Sequence, residues 1–204
     1  MVLDKITAEV VLLVEGADDQ QIVAALLDQL KPDWRNLIDI QAKAQDGGLV
    51  QGARSLAVVS GFDRVKTVAV LVDADETPAK TDAIWAAETQ SFLQKNPALQ
   101  MRYFVLPSAD LKGALETVFL QSLSEEDEKF QCVKQLMVCL SGNTRHTTQS
   151  QKDKLALITY INACVKTPYA RVGKALEQAA HGLFDFKHAA FIPLVGFLES
   201  LTHV

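Results

Sequence analysis

Cysteine is scarce in this chain, and the few cysteines present do not form a metal or disulfide framework. Cys132, Cys139 and Cys164 lack the spacing of zinc ligands, and an odd count leaves at least one thiol unpaired. Together with the absence of a signal-peptide pattern, this favours a reducing, cytoplasmic location. Cys132 and Cys139 are seven residues apart in an apolar helical pattern, so we expect both to be buried packing residues.

Three further absences narrow the classes of function. No apolar run approaches the roughly 20 residues that a membrane-spanning helix needs, so we expect no membrane partner. Basic residues are not in excess, since the formal net charge is −5. This charge gives no support for general binding of nucleic acid over the protein surface, although it is compatible with a local basic groove. The chain also has no Gly-x-x-x-x-Gly-Lys-Ser/Thr loop for binding nucleoside triphosphate, so any ATPase is either a separate partner or absent.

What the chain does contain is enough apolar sequence for a substantial core. Hydrophobic residues make up 49% of its 204 positions. Apolar runs and helical periodicity alternate along the first half. The predicted strands are 9–14, 37–42, 67–72 and 102–106, and the predicted helices between them are 18–30, 48–59 and 81–95. This order predicts a parallel, Rossmann-like α/β sheet of about four strands flanked by helices.

The second half is predicted to be mostly helical. Helical patterns are found at 112–123, 151–165, 170–181 and 189–202, and one more helix is predicted to begin after a capping pattern at Ser124. A loop is predicted at 141–144. We therefore divide the chain into an α/β domain, residues 1–123, and a helical C-terminal extension, residues 124–204, packed on it. Phenylalanines near the end of the chain are expected to dock the final helix onto the core; they are Phe184, Phe186, Phe191 and Phe197.

Two acidic clusters follow two of the predicted strands. Glu15-Gly16 comes directly after the first strand, and Asp73-Ala74-Asp75 comes directly after the third. Ligands of parallel sheets bind outside the carboxyl ends of the strands, so Glu15, Asp73 and Asp75 are expected to meet at one rim. Carboxylates gathered in this way repel one another unless a cation or protons intervene, and Mg²⁺ prefers such oxygen ligands.

Each acidic cluster also has a simpler interpretation. Gly16 permits a sharp turn, and Asp18 or Asp19 is a suitable N-cap for the following helix. Asp73 and Asp75 would then belong to a solvated turn before the next helix. Another alternative is catalytic: Asp73-Ala74-Asp75-Glu76-Thr77 fits the Asp-x-Asp-x-Thr motif of HAD-type phosphatases, in which the first aspartate is phosphorylated, but no downstream Gly-Asp-x-x-x-Asp follows.

The paired motifs resemble the Toprim domain of topoisomerases, primases and OLD-type nucleases. That family has one strand ending in Glu-Gly and a later strand ending in Asp-x-Asp. The spacing from Glu15 to Asp19 and the segment Gly113-Ala114-Leu115-Glu116 are similar to the OLD-type branch. The core of the match spans roughly residues 9–120. The stretch from Phe184 to Leu198 is similar to a small family of uncharacterised Toprim-related proteins.

The resemblance implies a metal-dependent nuclease acting on DNA or RNA, in repair or phage defence. Asp73 and Asp75 would coordinate Mg²⁺ (or Mn²⁺), Asp19 and Glu116 would hold a second ion, and Glu15 would act as a metal ligand or general acid/base. Lys154 would be catalytic, and Lys152 and Gly16 would contact the substrate. For both lysines a solvated helix face is the alternative, and Glu116 is also spaced to pair with Lys112.

A different class of function remains open at this point. OLD-type nucleases carry an ATPase on the same chain, which this sequence lacks. The chain could therefore be a non-catalytic or partner-dependent Toprim module that works beside a separate ATPase, and a second copy of the chain is a further candidate partner. No topoisomerase tyrosine is identifiable.

Overall fold

The computed structural model describes residues 5–31, 33–42, 48–140, 148–165 and 183–203. Its strands are β1 (Val10–Val14), β2 (Ile38–Ala42), β3 (Thr67–Asp73) and β4 (Gln100–Leu106). Its longer helices are α1 (Ala17–Leu30), α2 (Gly48–Ser55), α3 (Pro78–Lys95), α4 (Leu115–Gln121), α5 (Glu128–Leu140), α6 (Gln149–Cys164) and α7 (Ile192–Leu201). The loop predicted at 141–144 and the helix predicted at 170–181 lie outside the described residues.

The four strands form one parallel sheet in the order β2-β1-β3-β4. β1 is buried along its whole length because it is apolar throughout and is covered on both faces. In the register, Val10 of β1 lies beside Ile38 of β2 and Thr67 of β3. The predicted α/β fold with a parallel, Rossmann-like sheet and a helical C-terminal part is confirmed. The neighbouring positions of β1 and β3 determine where the acidic clusters lie.

Alternate residues of the strands point to opposite faces of the sheet, and a hydrophobic layer lies on each face. On one face, Val11 and Leu13 pack with Leu49 of α2 and Trp85 of α3. On the other face, the strands pack with α1 and with the helices that follow β4, down to Leu198 of α7. The C-terminal helices therefore share one core with the sheet.

Aromatic rings fix the end of the chain to this core. Phe119 of α4 makes edge-to-face contacts with Phe184 and Phe191, with ring centroids 5.0 Å apart in both pairs. Phe186 also contacts Phe191, and Phe197 stacks on Phe104 of β4. Such contacts add to the stabilisation from burial. The expectation that these phenylalanines dock the final helix onto the core is confirmed.

The helix predicted from residue 112 begins later, at Leu115. Gly113 has a φ of 136°, which a right-handed helix cannot include, and it exchanges two backbone hydrogen bonds with Asp75. A tertiary contact therefore delays the start of α4, and the helical pattern of the sequence alone does not reveal it.

The prediction for two cysteines is wrong. Cys132 and Cys139 are exposed, because α5 turns Phe130 and Val133 toward the core and leaves the cysteine face outward. The seven-residue spacing does place both cysteines on the same face of α5, but that face is exposed to solvent rather than buried. No helix in the described part of the chain combines the length and the apolar character needed to cross a membrane.

Candidate functional site

A cavity of about 290 Å³ lies at the carboxyl edge of the sheet, where β1 and β3 end side by side. Its walls come from four parts of the chain: the β1–α1 turn, the segment after β3, the start of α4 and the start of α6. The lining residues are Glu15, Gly16, Asp19, Asp73, Asp75, Ala114, Glu116, Ser150, Gln151 and Lys154. Five of these are carboxylates and one is a cation.

The β1–α1 turn places two carboxylates at the cavity. Glu15 is the first residue after the buried strand, and Gly16, with extended backbone, is the N-cap of α1. The carboxylate of Asp19 accepts a hydrogen bond of 2.8 Å from the backbone N–H of Gly16. This is one half of a capping box, and it holds the Asp19 side chain over the turn.

The turn after β3 is held by backbone hydrogen bonds on two sides. The N–H of Ala74 donates to the carbonyl oxygen of Leu106 at 2.8 Å. The N–H of Asp75 donates to the carbonyl oxygen of Gly113 at 2.8 Å, and the N–H of Gly113 returns a bond of 3.0 Å to Asp75. Asp75 itself has a φ of 50°, a conformation that aspartate adopts more readily than most residues. The acidic turn is therefore joined firmly to the segment that precedes α4.

The start of α4 contributes both a donor and a carboxylate. The N–H of Leu115 donates to Oδ1 of Asp73 at 3.2 Å. Glu116, one residue later, is only 4% exposed. The hydroxyl oxygen of Thr117 accepts a bond of 2.9 Å from the N–H of Ala114, which caps the helix. The backbone N–H of Leu115 and the side chain of Glu116 therefore reach the cavity from a fixed helix end, while the Leu115 side chain is buried in the core.

The start of α6 closes the cavity. Thr148 caps this helix through the N–H of Gln151. The hydroxyl of Ser150 donates to Oδ1 of Asp75 at 2.8 Å. One turn further, Nζ of Lys154 lies 3.6 Å from Oε1 of Glu116 and 3.8 Å from Oδ2 of Asp18.

The cavity concentrates negative charge where water is partly excluded. Burial and the neighbouring charge of Glu116 raise the pKa of Asp19 from 3.8 to about 7. Burial, together with the charges of Glu15, Asp19, Glu116 and Asp75, raises the pKa of Asp73 well above its ordinary value. Burial also raises the pKa of Glu116. Each of these shifts favours the protonated carboxyl group, and a cation bound among them would favour the charged form instead.

Lys154 is the ammonium within this arrangement. Its side chain is about half exposed, and burial favours the neutral amine. Attraction to Glu116, Asp18, Asp19 and Asp73 outweighs that effect and raises the pKa of Lys154. The lysine therefore carries its charge throughout the neutral range.

The donor set suits a hard cation with few protein ligands. The five carboxylates line one cavity, but among the described residues no three Asp, Glu, His or Cys side chains are arranged as a ready-made metal-chelating group. The lining residues that the structure describes include no His or Cys, and the available ligand atoms are mainly carboxylate oxygens rather than the nitrogen and sulfur atoms common in zinc sites. Mg²⁺ is usually held by one or two carboxylates and keeps several waters, which fits an open, carboxylate-lined cavity.

The structure brings together seven of the eight residues that the sequence predicts for the site. Glu15, Gly16, Asp19, Asp73, Asp75, Glu116 and Lys154 all line the cavity. Lys152 does not line it. It borders a separate, mostly apolar depression with Leu120 and Phe130, because two residues along α6 is a rotation of roughly 200°.

Sequence reasoning missed two residues that line the cavity, Ser150 and Gln151, and the pairing of Asp18 with Lys154. The predicted helix begins at residue 151, two residues after the observed start of α6, and so leaves Ser150 out. The pair of Thr148 and Gln151, spaced as in a capping box, was the signal that could have located this helix start.

Comparison with known proteins identifies a family. The chain belongs to the family described as Protein of unknown function (DUF3226), whose model matches residues 9–203. No curated protein and no solved structure matches the chain. The match spans both the sheet and the C-terminal helices, so the acidic cavity lies wholly within the family region.

Proposed function

We propose that this chain is a Toprim-type, Mg²⁺-dependent enzyme that cleaves phosphodiester bonds of nucleic acid. The observation that carries the proposal is the convergence of Glu15 with Asp73 and Asp75 at the ends of adjacent parallel strands, in one cavity. A strand end bearing Glu-Gly beside another bearing Asp-x-Asp is the arrangement that the resemblance to Toprim domains leads us to expect.

Within this proposal, Asp73 and Asp75 hold the cation. The N–H of Leu115 and the hydroxyl of Ser150 each bond one oxygen of these two carboxylates, so both side chains are oriented before a metal arrives. When bound, Mg²⁺ neutralises phosphate charge and activates water for attack on phosphorus. The cation also offsets the repulsion between the cavity and a polyanionic substrate.

The remaining residues supply protons and charge. Glu15 is the candidate general acid/base, since it follows β1 directly and lines the cavity together with the two aspartates. Lys154, which also lines the cavity, would place its positive charge near a phosphate oxygen. Gly16 leaves the β1–α1 turn without a side chain, so a sugar-phosphate backbone can approach it closely.

Cleavage of nucleic acid with a defined cation tests this proposal. Supercoiled plasmid, single-stranded DNA and RNA are each incubated with the purified chain and Mg²⁺, Mn²⁺ or EDTA. We expect cation-dependent cleavage that is lost in the Asp73→Ala, Asp75→Ala double variant and retained in Asp63→Asn, a carboxylate away from the cavity. Equal cleavage by the wild type and the double variant would eliminate the assignment.

The same preparation distinguishes the phosphatase alternative. A generic phosphomonoester is offered in parallel, and any phosphorylated aspartate is sought by mass spectrometry. Turnover of the monoester with phosphate trapped on Asp73 would contradict the phosphodiesterase proposal. We expect neither.

A further inference from the structure

We propose that Lys154 takes the place of a second metal ion, so that the cavity binds one divalent cation rather than two. This inference rests on the proposed function and specifies its metal content. It departs from the resemblance, which assigns a second ion to Asp19 and Glu116. The side of the cavity formed by Asp19, Glu116 and Lys154 is called the Glu116 side.

The first support is the ion pair on the Glu116 side. Glu116 is 4% exposed, and a buried carboxylate needs a counter-charge close by. Nζ of Lys154 supplies that charge at 3.6 Å from Oε1 and also lies 3.8 Å from Asp18. An ammonium thus lies against Glu116 and against the first turn of α1, which carries Asp19, and these are the two residues that the resemblance assigns to a second ion.

The second support is that the lysine is carried by a fixed scaffold. Asp153, the preceding residue, is 7% exposed and accepts hydrogen bonds from the hydroxyl of Thr117 and from Nε2 of Gln149, the latter at 2.7 Å. Thr117 belongs to α4, the helix that also carries Glu116. Asp153 therefore joins α6 to α4 through Thr117, and this contact fixes the backbone position from which the Lys154 side chain reaches Glu116.

The third support is the charge that a second ion would meet. A divalent ion near Glu116 would be repelled by the ammonium of Lys154, which lies 3.6 Å from Oε1 of Glu116. On the opposite side, the carboxylates of Asp73 and Asp75 are bonded by Leu115 and Ser150, which are uncharged donors. One side of the cavity is open to a divalent cation, and the other already contains a tethered monovalent one.

Counting Mn²⁺ ions bound to the full chain tests the inference. Free Mn²⁺ is measured by electron paramagnetic resonance during titration at neutral pH. We expect one ion per chain for the wild type and two for Lys154→Met, in which Asp19 and Glu116 lose their cation. Lys152→Met is the matched control, because it removes a lysine from the same helix outside the cavity, and we expect it to bind one ion.

Each other outcome overturns the inference. Two ions on the wild type would show that Lys154 does not replace a metal, while the proposed function would survive. One ion on Lys154→Met would show that the lysine is not what prevents a second ion. No Mn²⁺ on any variant would contradict both this inference and the proposed function. Circular dichroism verifies folding, and Lys154→Gln, which keeps a polar side chain, replaces Lys154→Met if that variant is unfolded.

Discussion

Asp73 lies among four other carboxylates, and its environment is unfavourable for a negative charge. Glu15, Asp19, Glu116 and Asp75 all act on it, and burial adds to their effect. Such an environment opposes the charged form of Asp73 and favours either a bound proton or a bound cation. Two predictions at the scale of single residues follow from this conflict.

We expect Asp73→Asn to stabilise the metal-free protein. The amide keeps an oxygen that can accept the N–H of Leu115, but it removes the buried charge. A gain of about 1 kcal/mol corresponds to a rise in melting temperature of roughly 2–4 °C for a chain of this size. Thermal unfolding in EDTA at pH 8 measures the change. Asp63→Asn, outside the cavity, should leave the melting temperature unchanged, and a fall for Asp73→Asn would contradict the account.

We also expect the pH dependence of stability to change when Asp19 is replaced by Asn. The pKa of Asp19 is about 7 in the folded state and near 3.8 when unfolded, so between these values the folded chain keeps a proton that the unfolded chain releases. Its contribution to the free energy of unfolding is greatest below about pH 4 and declines as the pH rises toward 7. Each pKa unit corresponds to about 1.4 kcal/mol.

Urea unfolding between pH 5 and 8 in EDTA measures this effect. The wild type should lose stability with rising pH more steeply than Asp19→Asn, whose amide can still accept the N–H of Gly16. Parallel curves for the two proteins would show that Asp19 has an ordinary pKa.

At the scale of elements, the cavity depends on how α4 and α6 meet the end of β3. Gly113 joins the segment before α4 to the end of β3, because its N–H donates to the carbonyl oxygen of Asp75 and its carbonyl oxygen accepts the N–H of Asp75. A Cβ placed on Gly113 would lie 2.1 Å from the hydroxyl oxygen of Thr117. The glycine is therefore required both by its φ of 136° and by the close approach of α4.

We expect Gly113→Ala to destabilise the fold by about 1–3 kcal/mol, since a strained φ and a steric clash coincide. Gly52→Ala is the matched control. Gly52 lies inside α2, and among the described residues nothing approaches within 4 Å of the position that an alanine Cβ would take there. Alanine should therefore stabilise that helix by roughly 0.5–1 kcal/mol. Urea unfolding of both variants tests the contrast, and equal midpoints would contradict it.

The same elements show how much of the site could be read from sequence. The β1 and β3 strand ends were predictable, because apolar runs and the acidic residues after them are local patterns. The late start of α4 and the contact between Ser150 and Asp75 were not, because both depend on residues far apart in the chain meeting in space. Lys152 and Lys154 could not be distinguished until the packed face of α6 was known.

At the scale of the whole molecule, the sheet and the C-terminal helices share one hydrophobic core. Leu198 of α7 is fully buried in the cluster that also contains Leu12 of β1. The sequence division at residue 123 therefore separates regions of different secondary structure whose apolar side chains pack together. The sequence predicted both regions and an extension packed on the α/β domain, but not which apolar side chains form the common core, because those contacts depend on long-range packing.

We expect Leu198→Ala to destabilise the entire chain by about 2–5 kcal/mol, as large-to-small substitutions in cores do. Unfolding should remain a single transition in which tryptophan fluorescence from Trp34 and Trp85 coincides with circular dichroism. Ile192→Ala, in the same helix but 62% exposed, should change stability by less than about 0.5 kcal/mol. Two separate transitions would show that the C-terminal helices unfold independently.

A crystal of the chain soaked in Mn²⁺ and examined by anomalous scattering tests the central claim most directly, since it locates the cation without requiring a substrate. The account predicts an ion within about 2.5 Å of carboxylate oxygens of both Asp73 and Asp75, with Lys154 still beside Glu116. An empty cavity at saturating Mn²⁺, or an ion bound only elsewhere on the protein, would contradict it.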